Sequence, residues 1–530
     1  MNVVFRVDAG HRIGSGHLMR CLTLADVLAE SGARCRFITR AHDGHLASVL
    51  ERRGFTADVL PLRRSPRDHS EPGYADWLGA DWQTDAADTI AAMSGAKPDW
   101  LVVDHYAIDR RWEAALRPHC GRILVVDDLA NREHECDLLL DQNVMAEAES
   151  RYDGLVPASC GRMIGPRHAL LHPAYAGLRS SVMVRQGPIR RVMLFFGGSD
   201  LPNMTGKVLA AIVPLLDGTF HLDVVITATS PHAADIRRMV DGLTDITLHE
   251  SLPTLAPLIA SADLALGAGG ATSLERCCLG LPSIIVTLAE NQRPGAAELH
   301  RQGLVEWLGD DGEVSVEAIT SATASALKQG CDTAMSARCL ALLDGRGAAS
   351  VAGWLMLGPS TPLRARLATA ADEALLLEWA NDPDVRANSF TPDRIDAVSH
   401  GDWFRRKLAA PDDCRLFIIE SAAGIPIGPV RFDRDGDGDD WVINFSLDPR
   451  VRGRSLGRPM LATAIEAFPA TGNRRLLAKV KPSNHASRRV FEGLGFSLVA
   501  STPHLEFATT LNGPRPLMLQ PISDHTAGSP

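Results

Sequence analysis

The feature that most constrains this chain is an alternation that occurs twice. Short apolar runs ("VVFRV", "CRFIT", "WLVVD", "RILVVDD" and "CDLLLD") recur between residues 3 and 141. The longer segments between them, such as "HLMRCLTLADVLAESG", carry apolar residues at helical spacing and end in glycine. Near Ile189 the pattern begins again with "RRVMLFFGG", "LDVVITA", "ITLHE", "ADLALGAGG" and "PSIIVTL". Strands that alternate with helices predict an α/β fold of parallel sheets covered on both faces. Two doubly wound, Rossmann-like lobes are therefore expected, over residues 1–180 and 181–355. Between them lies a cleft at the carboxyl ends of the strands, the edge where such sheets take ligands.

The pattern then changes. Gly358 to Pro362 reads as a short linker. Residues 363–510 read as a smaller α+β unit, opened by "ATAADEALLLEWAND" as a helix. Three strands follow, "DCRLFIIES", "GIPIGPVRFD" and "DWVINFSLDP", with turns suited to hairpins. The acidic turn "DRDGDGDDW" has the first half of a calcium loop, but Asn444 stands where the bidentate glutamate belongs, so it reads as a hairpin turn. Residues 511–530 read as a loose polar tail.

A chain of 530 residues has room for three or four domains. Its net charge of −10 argues against nucleic acid as the main partner, because a phosphate backbone needs a basic footprint. It leaves room for a small anionic ligand held by a local loop. The ten cysteines form no CxxC pair and no Cys/His set with zinc spacing, so free buried thiols in a reducing cytoplasm are expected. Arg6, Asp8 and Arg12 interrupt any signal-peptide core, and no apolar run approaches membrane-spanning length. A cytoplasmic protein with no membrane partner is the expectation.

Within that frame "GSGH" places Gly14 and Gly16 around Ser15 and sets His17 at the mouth of a helix. Backbone N–H groups at a helix start favour anions, and glycine allows close approach. Taken alone, a tight turn explains those glycines equally well. The second half adds "FFGGSD", "LGAGGATSLE" and "TLAENQ", each directly after a strand. Three such loops on one sheet edge point to a ligand site.

Taken in order, "GSGHLMRCLTLA", "VVDHY", "FFGGSD", "GAGGATSLERCCLGLPSIIV" and "AENQ" resemble the UDP-sugar hydrolases of the pseudaminic acid pathway. That family releases 2,4-diacetamido-2,4,6-trideoxy-L-altrose from its UDP conjugate and has a glycosyltransferase-B-like fold. The resemblance implies that His17 is the base that activates water at the anomeric carbon. A helix N-terminus suits that role, since it disfavours imidazolium. UDP is already a good leaving group, so no acid of the glycosidase kind is needed, and attack opposite UDP would invert the anomeric centre. Gly14 and Gly16 would let the substrate approach, and Tyr106 would position the water or the sugar. Asp8 would hold a sugar hydroxyl or orient His17. For Tyr106 and Asp8, packing or turn roles stay open. In the second lobe Ser199, Gly270, Ala271 and Thr272 would surround the diphosphate. Glu275 would accept the ribose hydroxyls, with Asn291 and Gln292 facing the sugar. "GGSDLPNMT" departs from the family pattern, in which proline directly follows the aspartate. No Asp-x-Asp pair stands in a nucleotide-facing loop, so no metal is expected.

"FSLDPRVRGRSLGRPML" and "KPSNHASRRVFEGLGF" resemble the coenzyme-A-dependent N-acetyltransferase (GNAT) superfamily. The resemblance implies acetyl-CoA as co-substrate, held by Arg452, Gly453, Arg454, Ser455, Leu456 and Gly457 together with Asn484 and Ser487. Ser455 replaces the first glycine of the usual pair. Many such enzymes protonate the departing thiolate with a tyrosine, but this domain has none and Phe491 takes its place, so Ser487 or a water would have to serve. The implied reaction is acetylation of the amine of a UDP-linked amino sugar, the step before hydrolysis. Two readings stand at this point: a bifunctional hydrolase and acetyltransferase, or a UDP-sugar glycosyltransferase with a non-catalytic acetyltransferase-like module.

Overall fold

Seven strands build the first sheet of the computed structural model, which describes residues 1–63, 74–95, 97–198, 200–227, 230–436, 440–469 and 472–513. They are Asn2–Val7 (β1), Arg34–Arg40 (β2), Thr56–Leu60 (β3), Trp100–Asp104 (β4), Arg122–Val126 (β5), Leu138–Asp141 (β6) and Gly161–Ile164 (β7). All neighbours pair in parallel, in the order β3-β2-β1-β4-β5-β6-β7. β4 and β6 are buried at every residue, which is why they read as unbroken apolar runs. The edge strands β3 and β7 are the two that the apolar runs miss. β3 alternates Thr56 and Asp58 with apolar residues along a half-exposed edge, and β7 is only four residues long.

The second sheet comprises Arg191–Phe195 (β8), His221–Ile226 (β9), Ile246–Glu250 (β10), Leu264–Ala268 (β11), Ser283–Thr287 (β12) and Glu306–Asp310 (β13). Its strands are again all parallel, in the order β10-β9-β8-β11-β12-β13. Val192, Leu194, Leu222 and Leu266 pack under Val208 and Ile212 on one face. Met193, Ala265 and Ile285 pack with Ile259 and Leu274 on the other. Ala169, Leu171 and Tyr175 join this second core, so the chain already belongs to the second lobe before the expected boundary at 180.

Each strand order reverses once, between β1 and β4 in the first sheet and between β8 and β11 in the second. At such a switch point the loops leaving the two central strands diverge and open a crevice. The loops concerned carry Asp8 to His17, Asp104 to Tyr106, Phe196 to Asp200, and Gly269 to Glu275. Topology alone thus sets the "GSGH", "VVDHY", "FFGGSD" and "GAGGATSLE" motifs at ligand-binding edges. The two doubly wound lobes are as expected.

The chain forms two compact units, residues 1–352 and 353–530, which divide inside the helix Gly347–Met356 and ahead of the expected linker at 358–362. The second unit holds Leu363–Leu367 (β14), Cys414–Ser421 (β15), Pro426–Arg434 (β16), Asp440–Phe445 (β17), Arg474–Val480 (β18), Ser497–Ala500 (β19) and Leu505–Leu511 (β20). Their order is β14-β15-β16-β17-β18-β20-β19, and only β17 and β18 pair in parallel. The unit therefore opens with a strand. Its first α-helix, Glu373–Ala380, starts after a capping box between Thr369 and Asp372. β16 and β17 form the expected hairpin, but residues 437–439 of the acidic turn lie outside the described residues, as do residues 514–530 of the tail. Leu511, assigned by sequence to the tail, ends β20. All ten cysteines are free thiols. Among the described residues no helix is long and apolar enough to cross a membrane.

Candidate active sites

His17 is the second residue of the helix Gly16–Glu30 and is 9% exposed. Gly14, just before it, has φ +83°, a left-handed turn that favours glycine, and a Cβ on Gly16 would meet nothing within 4 Å. The His17 Nδ1 lies 2.6 Å from Oδ1 of Asp104, the fully buried last residue of β4. Arg20, one turn along the same helix face, donates from Nε to Asp104 Oδ2 at 2.6 Å and from Nη2 to Oδ1 at 2.7 Å. Burial alone would raise the Asp104 pKa, but Arg20 and then His17 outweigh it and hold the carboxyl well below the usual range. The Tyr106 ring stands edge-on to the imidazole, with centroids 4.5 Å apart, and packs in turn against Tyr74 and Trp77.

Asp8, expected as a candidate to orient His17, is placed elsewhere. It is fully buried, and its Oδ1 accepts from Arg6 Nη1 at 2.6 Å and from the Arg40 N–H at 2.7 Å. Its Oδ2 faces the Nε2 atoms of His105 and His42, at 3.2 and 3.4 Å. The carboxylate on His17 belongs to Asp104. The sequence carried a signal for it, since Asp104 ends the apolar run of "VVDHY" and Arg20 lies three residues after His17 on one helix face. Tyr74 and Trp77 carried none, because they reach Tyr106 only through the tertiary fold.

The second lobe brings its loops to this site. A Cβ on Gly198 would come within 3.1 Å of Ser15 Oγ, so the loop after β8 abuts the "GSGH" turn. Asn291 reaches Tyr106 with its side-chain amide. Gln292, expected to face the sugar, instead accepts the Leu288 N–H at 3.0 Å, and its Nε2 lies against Gly270. Gly270, Ala271 and Thr272 lead into the helix Thr272–Cys278, which carries Glu275. Glu275 Oε2 is buried without a hydrogen-bond partner. Burial pushes its carboxyl up to about 6, partly offset by the nearby Tyr175 hydroxyl and by Arg276. Ser199 lies outside the described residues. Among the described residues no group of three or more His, Cys, Asp or Glu is arranged to hold a metal ion.

In the second unit, β17 and β18 pair only at residues 440–442 with 475–477, and beyond that no pairing continues. A cavity of about 950 Å³ is lined by residues from those unpaired stretches, among them Ile443, Asn444 and Lys479. Arg452, Gly453, Gly457, Asn484, Ser487 and Phe491 line the same cavity, so half of the loop converges with the second motif. Gly453 and Ser455 take left-handed turns, with φ of 70° and 58°, ahead of the helix Gly457–Ala467. Arg452, besides lining the cavity, forms ion pairs with Asp382 and Asp384. Arg454 and Leu456 depart from the expectation. Leu456 is fully buried in the core, and the buried Arg454 guanidinium donates to the carbonyls of Trp354 and Arg450, so the side chains of these two residues turn inward and their backbone N–H groups are what the loop offers. Phe491 is packed among Phe445, Phe496 and Phe507.

Residues 363–497 match the acetyltransferase (GNAT) domain family. The chain is similar to an uncharacterized protein of Methanocaldococcus jannaschii, with 19% identity over 510 residues that make up 94% of this chain and 96% of that one. It is also similar to the UDP-2,4-diacetamido-2,4,6-trideoxy-beta-L-altropyranose hydrolase of Campylobacter jejuni, with 23% identity over 304 residues, 57% of this chain and 97% of that one. Among solved structures it is similar to MurG of Acinetobacter baumannii, at 13% identity and a TM-score of 0.46, over 66% of this chain and 98% of that one.

Proposed function

We propose that the first unit hydrolyses UDP-2,4-diacetamido-2,4,6-trideoxy-β-L-altrose to UDP and the free sugar, and that the second acetylates the amine of a sugar nucleotide from acetyl-CoA. The observation that carries the first half is the place of His17. It stands at a switch-point edge, at the start of a helix, with glycine before it and the second lobe's nucleotide-type loops against its turn. The similarity to the Campylobacter hydrolase supports the substrate class.

In this reading His17 takes a proton from water as the water oxygen bonds to the anomeric carbon. The bond from that carbon to the UDP oxygen breaks, and the pair of electrons leaves with the diphosphate. Attack from the face opposite UDP inverts the centre. Ser199, Gly270, Ala271 and Thr272 hold the diphosphate through hydroxyl and N–H groups, and Glu275 accepts the ribose hydroxyls. Asn291 and Tyr106 bound the sugar.

In the second unit, Gly453 and the start of the helix Gly457–Ala467 offer N–H groups to a pyrophosphate. The unpaired edges of β17 and β18 offer backbone groups to an extended pantetheine arm. With phenylalanine at 491, the Ser487 hydroxyl on this wall, or a water, gives the departing thiolate its proton.

Proton NMR of the full chain with the UDP-linked sugar, beside His17→Ala, tests the first half. Loss of the UDP-sugar anomeric signal, appearance of inverted free sugar and an inert variant are the expected result. Intact substrate with the wild type, or turnover that survives in the variant, would overturn it. Calorimetric titration with acetyl-CoA tests the second half, and no binding at millimolar ligand would overturn that.

A further inference from the structure

We infer that Asp104 is the positioning residue that fixes the proton-accepting face of His17, and that Arg20 sets how strongly that face attracts a proton. The kinetic consequences rest on the hydrolase reading above, while the positioning itself does not.

An ionised carboxylate can only accept. With Asp104 Oδ1 2.6 Å from His17 Nδ1, the shared proton must sit on Nδ1, and Nε2 is left with the lone pair. A base that takes a proton from water needs that tautomer. The contact also fixes the ring plane, which Tyr106 braces edge-on from the side.

Asp104 is not free to give its whole charge to the imidazole. The Arg20 fork covers both carboxylate oxygens, and its Nη2 stands 3.3 Å from His17 Nδ1 itself. A fixed cation beside the ring opposes the pull of Asp104, so Arg20 offsets part of the attraction that the carboxylate exerts on a second ring proton. The groups around the ring come from three elements. Arg20 and Cys21 lie on its own helix, Asp104 and Tyr106 at the end of β4, and Asp128, bonded to Arg20 at 3.2 Å, after β5. Burial pushes the Cys21 thiol and the Tyr106 phenol up, so both stay neutral and the charge balance is between the two carboxylates and one guanidinium. During hydrolysis the proton passes from water to Nε2 and later to solvent, and Asp104 remains ionised throughout.

The test uses the full chain with ¹⁵N-labelled histidine, and His17→Gln to identify the His17 resonances. Wild type is expected to show the Nδ1–H tautomer at His17. Asp104→Asn is expected to lose it, with kcat down on the order of 10²–10⁴-fold and KM within about threefold, and Asp104→Glu to recover part of the rate. Arg20→Gln is expected to move the acid limb of the kcat/KM profile up by about one pH unit, a shift that a merely structural role would not produce. An Nε2–H tautomer in the wild type, wild-type kcat in Asp104→Asn, or an Arg20→Gln limb that stays or moves down would each overturn the inference. If Asp104→Asn fails to fold, the wild-type tautomer and the Arg20→Gln profile still decide. If the wild type hydrolyses no UDP-sugar, the hydrolase reading fails while the tautomer measurement still decides the positioning.

Discussion

The Asn291 side-chain amide donates a 3.1 Å hydrogen bond to the Tyr106 hydroxyl, and so joins the loop after β12 to the loop after β4. Since the Tyr106 ring packs edge-on against His17, the second lobe is tied to the candidate base through a single side chain. Tyr106→Phe keeps the ring and drops the hydroxyl, and Asn291→Ala drops the amide. Each is expected to lower kcat/KM about tenfold, and the double variant to be no worse than either single one, a coupling of about 1.4 kcal/mol. Additive losses would mean that the two groups act separately.

Glu275 ties nucleotide affinity to pH. Its folded pKa stands at about 6, above the ordinary glutamate value of 4.5, because burial disfavours the charge. In the proposed function, where this carboxylate accepts the ribose hydroxyls, UDP affinity is therefore expected to rise as pH increases through 6. The stability consequence has the opposite sign. A raised carboxyl pKa costs nothing below 4.5; the cost grows between 4.5 and 6 and is complete above 6. Glu275→Gln should flatten both profiles, weaken UDP binding, and stabilise the free protein at pH 7 by on the order of 1–2 kcal/mol. Titration calorimetry and urea unfolding at pH 5 and pH 7.5 read the two effects.

How far the sequence alone reaches is clear from particular residues. β4 and the helix Gly16–Glu30 are legible because burial on both faces, or on one helical stripe, leaves an apolar pattern of the right period. β3 and β13 are not, because they are half-exposed and "TADVL" and "EWLGD" form no apolar run. His17 is legible from its glycines, but which of two aspartates meets it is not. Asp8 follows β1 and Asp104 ends β4, and both sit at the switch point. Which of them meets His17 depends on Arg6, two residues before Asp8, and on Asp85, remote in sequence, which holds the Arg6 guanidinium from the other side. In the second unit the GNAT loop could be read, but the turn of Arg454 into the core could not, because its acceptors are backbone carbonyls that no sequence pattern marks.

The same hidden network gives a stability test. Asp85 is fully buried and accepts from Arg6 Nη2 at 2.7 Å, Arg40 Nη2 at 2.6 Å and Trp112 Nε1 at 2.9 Å. Burial would raise its pKa, but Arg6 and then Arg40 reverse the sign and lower it. Its contribution is therefore present above the ordinary aspartate value of 3.8 and lost as pH falls through the lower folded value. Asp85→Asn takes away the carboxylate that two buried guanidinium groups share, leaving Arg6 with Asp8 and Arg40 with Asp88, and a loss of about 3 kcal/mol is expected at pH 7 in urea unfolding. The loss should shrink toward pH 3. A variant within 1 kcal/mol of wild type at pH 7 would show that the arginines find other acceptors.

Ser455 offers the converse case, a residue whose replacement should help. It holds φ 58°, a left-handed conformation that costs a residue with a Cβ on the order of 1 kcal/mol. The conformation is imposed from both sides. Gly453 makes its own left-handed turn, and between the two Arg454 is anchored by its guanidinium to the carbonyls of Trp354 and Arg450. Ser455→Gly relieves the strain and leaves that anchor in place. The second unit is expected to gain about 0.5–1 kcal/mol, less the extra freedom glycine brings to the unfolded chain. Because the N–H groups of the loop keep their positions, acetyl-CoA affinity should stay within about twofold. Arg454→Met tests the other half of the argument. Without its anchor the loop should loosen, and acetyl-CoA binding should fall even though the Arg454 guanidinium is buried against backbone carbonyls. Calorimetry of both variants with acetyl-CoA separates the two effects. If Ser455→Gly weakens binding while Arg454→Met leaves it intact, the serine hydroxyl is a ligand contact and the strain is not the reason for the loop's shape.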